Sequence, residues 1–184
     1  MLKKFISIFV IAFAFICTFV QNSQAYPEST APHWKKTSIK VYIPKDDLQT
    51  TMQHAFERWQ SQCYGNLQFT FVEKGPADID VVFADNVKSS SSPISSYKIS
   101  TNGDEITKAE ISFTKKGKNL EKYSNNYIFT TMLQEVGHSL GLQNNTRKQI
   151  CIMYVPLSEN QDITRIDMMN LFKLYGWDWA KRKL

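Results

Sequence analysis

Histidine is scarce in this chain. There are three in 184 residues, His33, His54 and His138, so a centre built from several imidazoles would need nearly all of them. Cysteine is equally scarce, with Cys17, Cys63 and Cys151, which allows one internal disulfide at most. Charge is modest: 22 Lys and Arg stand against 17 Asp and Glu, with no basic stripe. Lys181-Arg182-Lys183 is read as a solvated tail, so a nucleic-acid partner is not expected. Long apolar runs are missing too. The longest, Phe5 to Val20, falls short of the ~20 residues that a membrane span takes.

What that run does fit is a leader. Lys3 and Lys4 precede it, and Ser23-Gln24-Ala25 follows as a small-x-small cleavage site. Residues 1–25 are therefore expected to be a signal peptide, and the mature protein is expected to begin at Tyr26. Residues 26–32 make a polar lead-in, and 33–184 form one domain long enough to bury a core. The expected product is secreted, extracellular or periplasmic, monomeric, and without stable membrane insertion. Cys63 and Cys151 survive cleavage. An even count in an exported chain predicts a bridge between them, with two free thiols as the alternative. Closing that long loop would add up to about 4 kcal/mol in the chain-entropy picture.

Hydrophobic periodicity sets out the elements. Ile39–Ile43 is β-branched and stops at Pro44, as a strand does. Asp46 to Cys63 carries Leu48, Met52, Ala55, Phe56, Trp59 and Cys63 on one helical face, with His54 on the polar face. Leu67–Val72 and Ile79–Phe83 read as strands. Ser96–Ser100 and Ile106–Thr114 are two more, joined through Thr101-Asn102-Gly103-Asp104, whose Asn-Gly pair signals a hairpin. Tyr127 to Leu140 is a second helix, with Asn125 or Asn126 as its cap. Asp162 to Tyr175 is a third, closed by Gly176.

The second helix carries the chemistry. Gln134-Glu135-Val136-Gly137-His138 continues through Ser139-Leu140-Gly141-Leu142-Gln143-Asn144, and Ile152-Met153-Tyr154 follows nine residues on. Residues 134 and 138, at i and i+4, point the same way. Gly141 permits a sharp turn after the helix. These residues resemble the matrixin branch of the metzincins, whose pattern is H-E-x-x-H-x-x-G-x-x-H followed by a turn containing Met. The resemblance runs from about His33 to Trp177. It includes Trp34-Lys35-Lys36, Ala77-Asp78-Ile79 and Leu174-Tyr175-Gly176.

The resemblance implies an α+β fold of the metzincin catalytic-domain type: one twisted mixed sheet of about five strands, three helices and a Met-turn at Met153. It implies zinc as cofactor, Glu135 as general base, and His138, Gln134 and Asn144 at the three ligand positions. It further implies a cleft for a peptide or protein substrate. Tyr97 and Ile99 on the edge strand form one wall, and Tyr154 and Pro156 in the segment Tyr154-Val155-Pro156-Leu157 form the other. The departure is chemical. Two ligand positions hold amides, which are neutral donors and not usual zinc ligands. Zinc binding is therefore expected to be weak or absent. His33 and Cys151 are conceivable substitutes. Three functions follow: an impaired secreted zinc endopeptidase, a pseudoprotease that binds peptides without cutting them, and a purely structural domain.

Overall fold

Alternation of apolar and polar side chains builds the sheet. The computed structural model describes residues 31–181 apart from 88, 90, 91, 116, 118 and 119. The expected leader and most of the lead-in lie outside the described residues. The strands are β1 (Ser38–Tyr42), β2 (Gln68–Val72), β3 (Ile79–Ala84), β4 (Ser95–Asn102) and β5 (Glu105–Thr114), in the spatial order β2-β1-β3-β5-β4. Ile39 and Val41 on β1, and Ile79, Val81 and Phe83 on β3, point into the core, while Ser38, Lys40 and Val82 face out. Four strands run parallel, and β4 runs antiparallel to β5 on the edge.

On β5 the inward residues are Ile106, then Ala109, Ile111 and Phe113. The first gap is odd, so strict alternation would turn one of them outward. A bulge corrects the parity: Ser100 pairs with Lys108, but Thr101 pairs with Ile106. The extra residue, Thr107, bends the strand and lets both sets face the core. The hairpin lies one residue later than the Asn-Gly signal implies. Asn102 pairs with Glu105, and Gly103 and Asp104 form the two-residue loop.

Three helices cover the sheet as expected, with shifted ends. Helix α1 (Gln49–Gln62) buries Met52, Ala55, Phe56 and Trp59 and leaves His54 exposed. Helix α2 (Asn125–Ser139) is capped by Ser124, whose hydroxyl accepts from the Tyr127 amide at 3.1 Å; this replaces the expected Asn cap. Every residue from Thr130 to Ser139 is buried, so α2 is a core helix, not a surface one. Helix α3 (Arg165–Leu174) starts later than Asp162 because Thr164 and Asp167 form a capping box there. A short 3-10 turn, Trp179–Lys181, was not foreseen.

The expected disulfide is corrected: Cys63 and Cys151 are two free, buried thiols. Cys63 is sealed at the C-terminal end of α1, and Cys151 is sealed in its own loop, where its sulfur accepts from Asn145. Burial pushes the Cys63 thiol up to about 12.

Candidate active site

Helix α2 delivers Gln134, Glu135 and His138 to one buried region and then stops at a glycine that nothing can replace without strain. Gly141 has φ +95°, and a Cβ there would lie 2.3 Å from the Pro32 carbonyl oxygen. Its amide closes onto His138 O, and the Leu142 amide closes onto Gly137 O. The chain then turns back over His138, as the motif requires.

His138 is 4% exposed. Its Nδ1 donates to Leu142 O at 2.8 Å, which leaves Nε2 as the acceptor nitrogen of the neutral ring. Tyr97 of β4 stacks on its face with centroids 4.1 Å apart and a 10° tilt, and Asn144 follows two residues after Leu142 with its side chain exposed. Burial lowers the pKa of His138 to about 4, against the opposing effect of the Leu142 hydrogen bond. Glu135 is 2% exposed. Its Oε1 accepts from Ser95 Oγ at 2.6 Å, and its Oε2 is buried without a partner. Burial raises its pKa to about 7, partly offset by the Ser95 hydrogen bond. Burial, then the charge of Glu135, raises the pKa of Tyr97. Glu135 and His138 are thus two buried neighbours on one helix, not a surface charge pair.

The turn that carries Met153, where the resemblance expects the Met-turn, lies directly beneath. A Cβ on Gly137 would meet Met153 Sδ at 2.5 Å and Trp59 Cζ2 at 2.9 Å, so glycine is what lets the turn press against the helix. Gln134, 6% exposed, donates its Nε2 to the carbonyls of Ile152 and Tyr154, 3.2 Å each. From the other side, Asp167 accepts from the Ile152 amide at 3.1 Å and the Met153 amide at 3.3 Å. It also accepts from the Thr164 amide at 2.8 Å and the Thr164 hydroxyl at 2.6 Å.

The structure thus brings Gln134, Glu135, His138, Asn144, Met153 and Tyr97 together. Ile99 is half-buried, one position further along the same face of β4 as Tyr97. Tyr154 joins the site through its carbonyl, and Pro156 stands exposed beyond it. His33 bonds Ala31 and packs on Tyr175, while Cys151 accepts from Asn145, so neither supplies a ligand beside His138. Asp167 and Ser95 escaped the sequence reading. Thr164-x-x-Asp167 announces a capping box, but nothing in the sequence announces its second use on the Met-turn, and Ser95 carries no signal.

The donor set does not fit a zinc ion held in the family manner. That centre needs three anionic or imidazole ligands converging on one point. Here one imidazole is present, Gln134 turns its amide nitrogen to carbonyls, and Asn144 offers only an exposed neutral amide. Among the described residues, no three His, Cys, Asp or Glu side chains gather where they could hold a metal.

β4 adds one more property. The Thr114 amide donates to Ile94 O at 2.8 Å, which fixes the phase of the antiparallel ladder. Bonded and unbonded residues alternate from there. Ser96, Lys98 and Ser100 turn their backbone groups to β5, and Ser95, Tyr97 and Ile99 turn theirs to the open edge.

A mixed five-stranded sheet, a glycine-terminated helix with Glu135 and His138, and a turn whose Met153 packs against that helix give an α+β architecture of the metzincin type. The family model described as Matrixin matches residues 31–176, and the chain belongs to that family of metallopeptidases. A comparison with curated proteins finds no match.

Proposed function

We propose that this chain is an exported, catalytically silent member of the matrixin family, and that it binds extended peptides along β4 without cleaving them. The observation that carries the reading is the pairing of a lost donor set with a kept edge. The amide at position 134 is engaged in two internal hydrogen bonds, and the one at 144 is an exposed neutral donor that is not a usual zinc ligand. The outward backbone groups of Ser95, Tyr97 and Ile99 are where a peptide could add as a further strand. The export part of the reading rests on residues 1–25, and no described helix is long and apolar enough to cross a membrane.

Two measurements on the mature chain test it. Metal analysis after equilibration with zinc should give a stoichiometry far below one, with no cleavage of casein or gelatin. Titration with extended peptides should shift the amide signals of Tyr97 and Ile99 more than those of Ser96 and Lys98. Cleavage that requires zinc would establish the impaired-protease reading instead. Absence of both cleavage and shifts would leave the structural one.

A further inference from the structure

The backbone of the Met-turn can be accounted for group by group. Asp167 takes the amides of Ile152 and Met153. The Tyr154 amide donates to Cys151 O at 3.1 Å. The Met153 carbonyl accepts from the Asn145 amide at 2.6 Å, and the Val155 amide donates to Asn145 O at 3.2 Å. Two carbonyls remain, those of Ile152 and Tyr154, and Gln134 serves both with one NH2 group. A primary amide has two N–H donors, so one side chain satisfies both acceptors at once. Ile152 is fully buried, so water has little access to its carbonyl, while Tyr154 is half-buried.

We infer that Gln134 is a positioning residue: its carboxamide ties α2 to the Met-turn and holds the segment that begins at Tyr154 in place without any metal. The first ligand position has been rebuilt into a hydrogen-bonded joint and is not merely an eroded ligand. Three features of the side chain match that task. It is buried, it projects from the same face as His138, and it presents its nitrogen to the turn. Imidazole could not replace it, because the neutral ring carries a single N–H. A glutamate of the same shape would set carboxylate oxygens against two carbonyl oxygens. The joint differs from the peptide-binding role of β4, and each can fail without the other.

The test uses the mature chain with Gln134→Glu, Gln134→His and Gln134→Ala, followed by thermal unfolding in chelator and in excess zinc. Wild type should melt at one temperature in both conditions. All three variants should melt lower, by roughly 5 °C for one buried and one half-buried acceptor left unmet, and zinc should not recover Gln134→His. A second readout stays with the wild-type protein, in case a variant fails to fold. The Gln134 side-chain NH2 should give two slowly exchanging signals in the 1H–15N spectrum, unchanged by zinc or chelator. Wild-type melting that rises with zinc, a Gln134→His variant rescued by zinc, a Gln134→Glu variant as stable as wild type, or rapidly exchanging Gln134 NH2 signals would each overturn the inference.

Discussion

Asp167→Ala should be among the most damaging single changes in the domain. Asp167 is fully buried and accepts four hydrogen bonds, two from the N-cap residue of α3 and two from the Met-turn. Losing a helix cap alone costs about 1 kcal/mol. Each buried amide of Ile152 and Met153 left without an acceptor adds about 1–3 kcal/mol. Some relaxation is expected, which puts the total at about 3–5 kcal/mol. Thr164→Ala removes the cap and spares the turn, so it should cost about 1 kcal/mol. Asp167→Asn is the finer probe. Oδ2 takes three of the four bonds, and one amide oxygen can keep them, leaving Met153 N against an NH2 group. Its cost should be about 1–2 kcal/mol. The assay is urea unfolding followed by tryptophan fluorescence, comparing midpoints at constant slope. If Asp167→Ala costs no more than Thr164→Ala, Asp167 is only a cap and its bonds to the Met-turn contribute nothing.

Glu135 and His138 should give opposing pH profiles. The folded pKa of Glu135 is raised from 4.5 to about 7, so its stabilising contribution is present below 4.5 and is lost as pH rises through 7, a loss of about 3 kcal/mol. His138 is lowered from 6.5 to about 4, so its contribution is present above 6.5 and is lost as pH falls through 4, again by about 3 kcal/mol. Urea midpoints from pH 4 to 8 should show wild type losing ground to Glu135→Gln as pH rises and to His138→Gln as pH falls; parallel curves would mean that neither group is perturbed. The two thiols give a third check. The mature chain, denatured without reductant, should titrate two thiols with Ellman's reagent, and the native chain should react slowly because both are buried. No thiols in the denatured, unreduced sample would restore the bridge that the sequence predicts.

The site was legible where local geometry dictates it. The i, i+4 spacing puts positions 134 and 138 on one side of any helix, and a glycine three residues on predicts the left-handed turn found at Gly141. Strand alternation and helical periodicity likewise located all five strands and three helices. Illegible were the features that depend on orientation. A sequence shows that residue 134 is an amide but not that its nitrogen meets two carbonyls. It shows an acid at 167 but not that its second pair of partners comes from a turn fourteen and fifteen residues upstream. The stacking of Tyr97 on His138 depends on the register of β4, and that register is set by a bulge at Thr107 that no residue type announces. The cysteine pairing failed for a related reason. Parity and compartment say that a bridge is favourable, but neither says where packing places the two sulfurs.

That bulge also sets a length. The regular ladder of β4 with β5 ends at Ser100, so the straight part of the open edge runs from Ser95 to Ser100. At about 3.3 Å per residue this is roughly 17 Å of template, with Ser95, Tyr97 and Ile99 as its three outward stations. On the proposed peptide-binding reading, a guest strand would find partners over that stretch and lose the regular ladder beyond it. The edge would then act as a short ruler. It would suit a segment of about five or six residues, and it would discourage copies of the chain from stacking edge to edge without limit, because continued growth needs a flat, uninterrupted strand.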